Sequence, residues 1–153
     1  MLDEKLKKLT KFMVFHSDEY FIGMNKIKNV LKSIKIQHCK IADKDHEDEF
    51  RVFAHVGCKK DTICVSKYIQ SLDDCNIYGI LAHEIGHIID LQHEDVARYV
   101  LNYNDYNYDG MKGFGDEVMA DFMIDALFDL HIYYDEDKIQ TLAISPGAIN
   151  QIF

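Results

Sequence analysis

The stretch "GILAHEIGHIIDLQHED", residues 79–95, sets His83, Glu84 and His87 inside a run of isoleucine and leucine. With Ile77, Ile80, Leu81, Ile85, Ile88 and Ile89 around them, the pattern predicts a helix that is apolar on most sides and central to the fold, starting at Asp73 or Asp74. On a helix, residues four apart share a face one turn apart, so the imidazoles of His83 and His87 converge on one ion. Glu84 lies about 100° around from His83, within reach of a water on that ion without ligating it. This is the HExxH arrangement: two imidazoles hold Zn²⁺ and the glutamate is general base toward a metal-activated water. Without a metal, burying these groups unpaired would cost about 1–3 kcal/mol each. Gly86, inside the motif, offers no side chain to crowd a facing sheet.

Such a zinc site needs a third protein ligand and an open position. His93 gives H-E-x-x-H-x-x-D-x-x-H, which is similar to the metzincin signature, but that family has glycine at the position of Asp90, where the chain turns sharply. If the helix simply continues, His93 points about 240° away from His87. Glu117, thirty residues after His87 in "GDEVMADFMIDAL", is the preferred alternative. It belongs to a stripe of acids four apart, Glu117, Asp121, Asp125 and Asp129, with no Lys or Arg between residues 113 and 137 to offset it. Like charges at that spacing repel by roughly 0.2–0.5 kcal/mol per pair, and a cation with an imidazole N–H would relieve them. Glu117 then ligates the metal, and Asp121 accepts from a zinc-bound histidine and fixes its tautomer.

Outward from this core, Leu2, Leu6, Leu9, Phe12 and Met13 mark an amphipathic first helix, and Ile27, Val30, Leu31 and Ile34 a second. "KIQHCKIA" reads as a short strand and "DKDHEDE" as a loop. "FRVFAHVG" and "TICVSKYI" read as an antiparallel pair. "HEDVARYVLNYNDYNYDGMKGFG" reads as loop, "DEVMADFMIDALFDLHIYY" as a helix capped by Asp116, and "DEDKIQTLAI" as a last short helix ending at "SPG". The expected fold class is α+β, with residues 1–153 forming a single compact domain: N-terminal helices, a small antiparallel-containing sheet, the motif helix and a C-terminal glutamate-bearing helix.

The net charge of −9 is uneven: residues 1–42 carry nine lysines against four acids, residues 43–153 eight bases against 22 acids. The acidic part should attract cations and repel nucleic acid, which argues against a nucleic-acid-directed protease of the SprT-like type. No run approaches the ~18 apolar residues of a membrane span, and the start lacks an apolar signal-peptide region, so a cytoplasmic location is expected. Cys39, Cys58, Cys64 and Cys75 form no CxxC pair and are read as reduced thiols in or near the core, with Cys58 and Cys64 facing across a hairpin.

With HEIGH followed by E-x-x-A-D at Glu117, Ala120 and Asp121, the sequence resembles the gluzincins, zinc peptidases whose third ligand is a glutamate on a second helix. It looks most like the small minigluzincins and the ImmA/IrrE-family peptidase domain, over roughly residues 50–130. The resemblance implies a zincin-like fold, one Zn²⁺ per chain held by His83, His87 and Glu117, Glu84 as general base and acid, and Asp121 behind a ligand. It also implies that the strand near "TICVS" pairs with an extended protein or peptide substrate, and that a Tyr or His stabilises the oxyanion, with Tyr103, Tyr106, Tyr108, His131 and Tyr133 as candidates. ImmA/IrrE-type proteins often carry Asn where this chain has Asp121. The expected function is a zinc-dependent endopeptidase. The alternative is a zinc-bearing binding or regulatory protein with little proteolytic activity.

Overall fold

The computed structural model describes residues 1–16, 22–136 and 141–153. Its central element is the motif helix, α4 (Asp74–His87), in which every residue from Asn76 to His87 is buried. Asp73 stands at its N-cap position, and its carbonyl accepts from the Asn76 and Ile77 amides. A helix apolar on every side must be wrapped by other elements, and this one is. Helix α1 (Leu2–His16) packs through Leu6, Leu9, Phe12 and Met13, with α2 (Met24–Ser33) behind it through Ile27, Val30 and Leu31. Helix α7 (Asp116–Phe128) crosses α4 through Met119, Ala120, Met123 and Ile124.

The main sheet has three strands in the order β1 (Lys35–His38), β3 (Thr62–Val65), β2 (Ala54–Val56). β1 pairs with β3 in parallel and β2 with β3 antiparallel, as expected for the second pair. β3 is therefore the middle strand, and all four of its residues are buried. Ile63 and Val65 face the core, while the other face is covered by α3 (Lys40–Asp48), which takes the end of the expected strand at residues 40–42 and most of the segment expected to be loop. Ala42 is buried, and the His46 ring lies against Phe53 and Tyr68, so tertiary contacts hold an otherwise acidic helix.

The tyrosine- and asparagine-rich segment expected to be loop instead contains α5 (Glu94–Tyr103) and α6 (Tyr108–Lys112). Ala97, Val100 and Leu101 supply the buried stripe of α5 at helical spacing. The last expected helix is also replaced. β4 (Tyr133–Asp135) and β5 (Thr141–Ala143) form an antiparallel hairpin, and the part of the expectation at residues 137–140 lies outside the described residues. "SPG" starts a helix rather than ending one: Ser145 caps α8 (Pro146–Ile152) by accepting from the Ala148 amide at 3.1 Å, with Pro146 in its first turn. The molecule is thus a mixed α+β, mainly helical domain with two small sheets. Among the described residues no helix is long and apolar enough to cross a membrane.

Two glycines of α4 set how closely its neighbours approach. A Cβ on Gly86 would lie 2.5 Å from the Ala120 carbonyl oxygen, so this glycine admits helix α7, not the sheet expected from sequence. One on Gly79 would lie 2.5 Å from the Ala143 Cα of β5. Both obstacles are backbone, which cannot rotate aside. Gly86→Ala should therefore cost about 1–3 kcal/mol of stability by overpacking, measured by denaturant unfolding, whereas unchanged stability would show that α4 and α7 separate freely.

Candidate metal centre

The motif helix ends by widening. After His87 the chain makes a π turn at Ile88–Gln92, then breaks at His93 (φ −132, ψ 47) before α5. This break sends His93 away from the motif: its Nε2 lies 2.6 Å from Asp61 Oδ1. Asp90, the position where a sharp turn would have been needed, is buried. Its carboxylate accepts from the Tyr108 hydroxyl at 2.5 Å and from Lys112 Nζ, and Lys112 also bonds Asp116 Oδ1 at 2.9 Å. One lysine thus joins the end of the motif helix to the first residue of α7. Removing one partner of such a buried charge pair typically costs on the order of 3 kcal/mol.

That brace fixes where α7 begins, and the next residue is Glu117. Its two carboxylate oxygens span the motif: Oε2 lies 2.9 Å from His83 Nε2 and Oε1 lies 2.9 Å from His87 Nε2. The two rings are edge to face, 4.5 Å between centroids. Asp121, one turn further along α7, lies 2.6 Å from His83 Nδ1. His83 therefore presents Nε2 with its ring held from behind, while His87 Nδ1 is buried without a hydrogen-bond partner. The structure brings His83, Glu84, His87, Glu117 and Asp121 to one place, and leaves His93 outside it.

The electrostatics follow from this packing. Burial disfavours a charged His83, but the Asp121 hydrogen bond and the carboxylates of Glu84, Asp121 and Glu117 outweigh it and raise His83 to about 9. His87, lacking an Asp121 of its own, is lowered by burial and by the charge on His83. Burial pushes Glu84 up to about 8, opposed by His83 and reinforced by Glu117 and Asp121. With His83, Glu84 and His87 buried and the exposed Glu117 closing over them, a cluster with this much carboxylate and two neutralisable imidazoles suits a divalent cation. The Nε2 atoms of His83 and His87, each 2.9 Å from a different oxygen of the Glu117 carboxylate, are with it a donor set that could hold the cation, which would take the place of the proton shared between His83 and Glu117.

The centre opens on a cleft of about 570 Å³. One wall is β2 with the preceding Arg51–Phe53, and the other is the β4–β5 hairpin with Tyr134, Thr141 and Leu142. The strand beside the cleft is β2, not the "TICVS" strand, because β3 is paired on both sides. None of the sequence-based oxyanion candidates lines the cleft. Tyr108 is spent on Asp90, Tyr106 packs edge-on against Phe122, and Tyr103 stacks on Tyr99. His131 lies 3.4 Å from Asp125, and Tyr133 points elsewhere by the alternation of β4. The donors at the cleft are Tyr134 and Arg51, whose Nη1 donates to the Tyr134 hydroxyl at 2.7 Å. Neither had a sequence signal, since 83 positions separate them and the hairpin that pairs them was expected to be helix.

Compared with known proteins, the chain matches no family model, no curated protein and no solved structure. The functional reading therefore stands on the residues of the site. Replacing Asp121 by Ala should weaken divalent-metal affinity about 10- to 100-fold by freeing the His83 ring, and Glu117→Ala should weaken it further. His93→Ala should leave it unchanged. Competition with a chelating dye measures all three, and loss of metal in the His93 variant alone would reverse the ligand assignment.

Proposed function

We propose that this protein is a zinc-dependent endopeptidase of the gluzincin type, with His83, His87 and Glu117 as ligands and Glu84 as general base and acid. The observation that carries the reading is the Glu117 carboxylate spanning both Nε2 atoms of an HExxH helix, 2.9 Å from each, with Asp121 behind His83. Zinc held by His83, His87 and Glu117 would supply a Lewis acid able to polarise a carbonyl and acidify water. The chain's own groups do the rest.

Glu84 lines the cleft beside the two histidines, 6% exposed, so it can take the proton of the attacking water and return it to the leaving amine. An extended peptide laid along the outer edge of β2, which pairs with no strand among the described residues, would place its carbonyl over the histidines. The same edge forces an extended backbone, which excludes a folded segment from the site. Tyr134 of β4 stands on the other wall, and Arg51, from the stretch just before β2, reaches its hydroxyl. Arg51 Nη1 donates to the tyrosine oxygen, which leaves the Tyr134 O–H to donate toward a carbonyl oxygen as negative charge grows there.

Glu84→Gln should abolish cleavage of a peptide library while metal content stays that of the wild type, because the amide keeps the shape and loses the base. A variant that still cuts removes this mechanism. A wild type that releases no new amino termini would favour the binding-protein reading. Tyr134→Phe should lower kcat about 10²- to 10³-fold with little change in KM, the pattern for a donor that acts on developing charge. Equal loss in KM would assign Tyr134 to substrate binding instead.

A further inference from the structure

On the far face of the main sheet, between it and α3, three cysteines and a histidine come together. Cys39 follows β1 and caps α3, with the Ala42 amide donating to its Sγ at 3.4 Å. His55 of β2 and Cys64 of β3 are direct cross-strand partners. Their neighbours Ala54, Val56, Ile63 and Val65 pack into the core, so strand alternation puts His55 and Cys64 together on the opposite face. Gly57, at φ +113, then turns the chain so that Cys58 returns: its Sγ lies 3.0 Å from His55 Nε2. Cys39 Sγ lies 3.7 Å from the same nitrogen. The four donor atoms all fall within 4.8 Å of one another.

We infer that Cys39, His55, Cys58 and Cys64 form a second metal site, a closed Cys₃His tetrahedron for a soft divalent cation such as zinc. Zn–S bonds of about 2.3 Å and Zn–N bonds of about 2.0–2.1 Å at tetrahedral angles put nitrogen and sulfur about 3.5 Å apart, and the two Nε2–Sγ separations, 3.0 and 3.7 Å, fall on either side of that distance. The imidazole is oriented as a ligand should be. Nε2 faces the thiols, while the buried Nδ1 has no formed hydrogen bond and has Asp45 Oδ2 only 3.2 Å away, in the position of the carboxylate that fixes a metal-bound histidine. The Ala42 amide at the start of α3 favours thiolate at Cys39, and exposed Lys59 and Lys60 next to Cys58 offset the negative charge of a three-thiolate complex. Four ligands leave no open position, so this cation is structural rather than catalytic.

The site ties together the parts of the sheet with least packing of their own. α3 buries a single residue, Ala42, and β2 has only β3 beside it, yet β2 forms a wall of the cleft. The expectation of one metal per chain becomes two. The sequence conceals the second because its ligands come from three separate segments, and the only close pair is His-x-x-Cys at His55 and Cys58 rather than Cys-x-x-Cys.

This inference is independent of the peptidase reading, and cobalt separates them, since only the cysteine site can give a thiolate-to-cobalt charge-transfer band in the near ultraviolet. Protein purified under reducing conditions and loaded with Co²⁺ should bind two ions and show that band. Cys58→Ser, at an exposed position, should bind one of the two ions more weakly and lower the band by about a third or more, since one of three thiolates is gone. Glu117→Ala should lose one ion and keep the band. The inference is overturned if folded wild type shows no thiolate band, if the band keeps its full wild-type intensity in Cys58→Ser, or if the three cysteines of reduced, metal-loaded wild type all react as free thiols.

Discussion

The structure depends on how closely α7 approaches α4. The Glu117 carboxylate can span two imidazoles only if the helices nearly touch at Gly86 and Ala120, where a single methyl group would meet a backbone carbonyl. Other features hold that approach. Lys112 ties Asp90 to Asp116, the π turn carries His93 out of the way, and Asp121 falls one turn beyond Glu117 to brace His83. The acidic stripe of α7 is divided by its partners. Glu117 and Asp121 meet imidazole, Asp125 approaches His131, and Asp129 ends the helix in a left-handed turn (φ 52).

What was legible in the sequence was what local periodicity controls. The apolar run around His83 predicted a buried central helix, and helical spacing placed Glu117 and Asp121 on one face of another. Geometry alone also argued against His93, although its actual partner, Asp61, could not be foreseen from 32 positions away. What was not legible was set by distant packing. The α3 segment is too acidic to look like a helix, and it exists because His46 packs on Phe53 and Tyr68, which flank the sheet strands, and Ala42 is buried. In α5 the four-residue repeat of Ala97 and Leu101 was masked by the Asn, Asp and Tyr around it. At the C-terminus, β4 and β5 supply each other's hydrogen bonds, a pairing that neither segment announces alone.

The edge strand β2 links the two candidate metal centres. Its Ala54 and Val56 face the core, its His55 faces the cysteines, and its free edge lines the cleft beside Glu84. Three short residues thus carry a fold contact, a proposed structural ligand and a proposed substrate edge. A strand this short gains little from its own hydrogen bonds, so a cation behind it would fix the wall against which a substrate is aligned. The opposite wall is held by the β4–β5 pairing, by the Arg51–Tyr134 hydrogen bond and by the motif helix, whose Asn76 Nδ2 donates to Asp135 Oδ2 and to the Leu142 carbonyl.

The central claim is that one zinc ion sits where the Glu117 carboxylate meets the Nε2 atoms of His83 and His87. An anomalous difference map at the zinc edge from metal-loaded crystals tests it directly. A peak is expected about 2.0–2.2 Å from both Nε2 atoms and from a Glu117 oxygen, with Asp121 still on the far nitrogen of His83. A peak ligated by His93, or none at the motif in zinc-loaded protein, would contradict it.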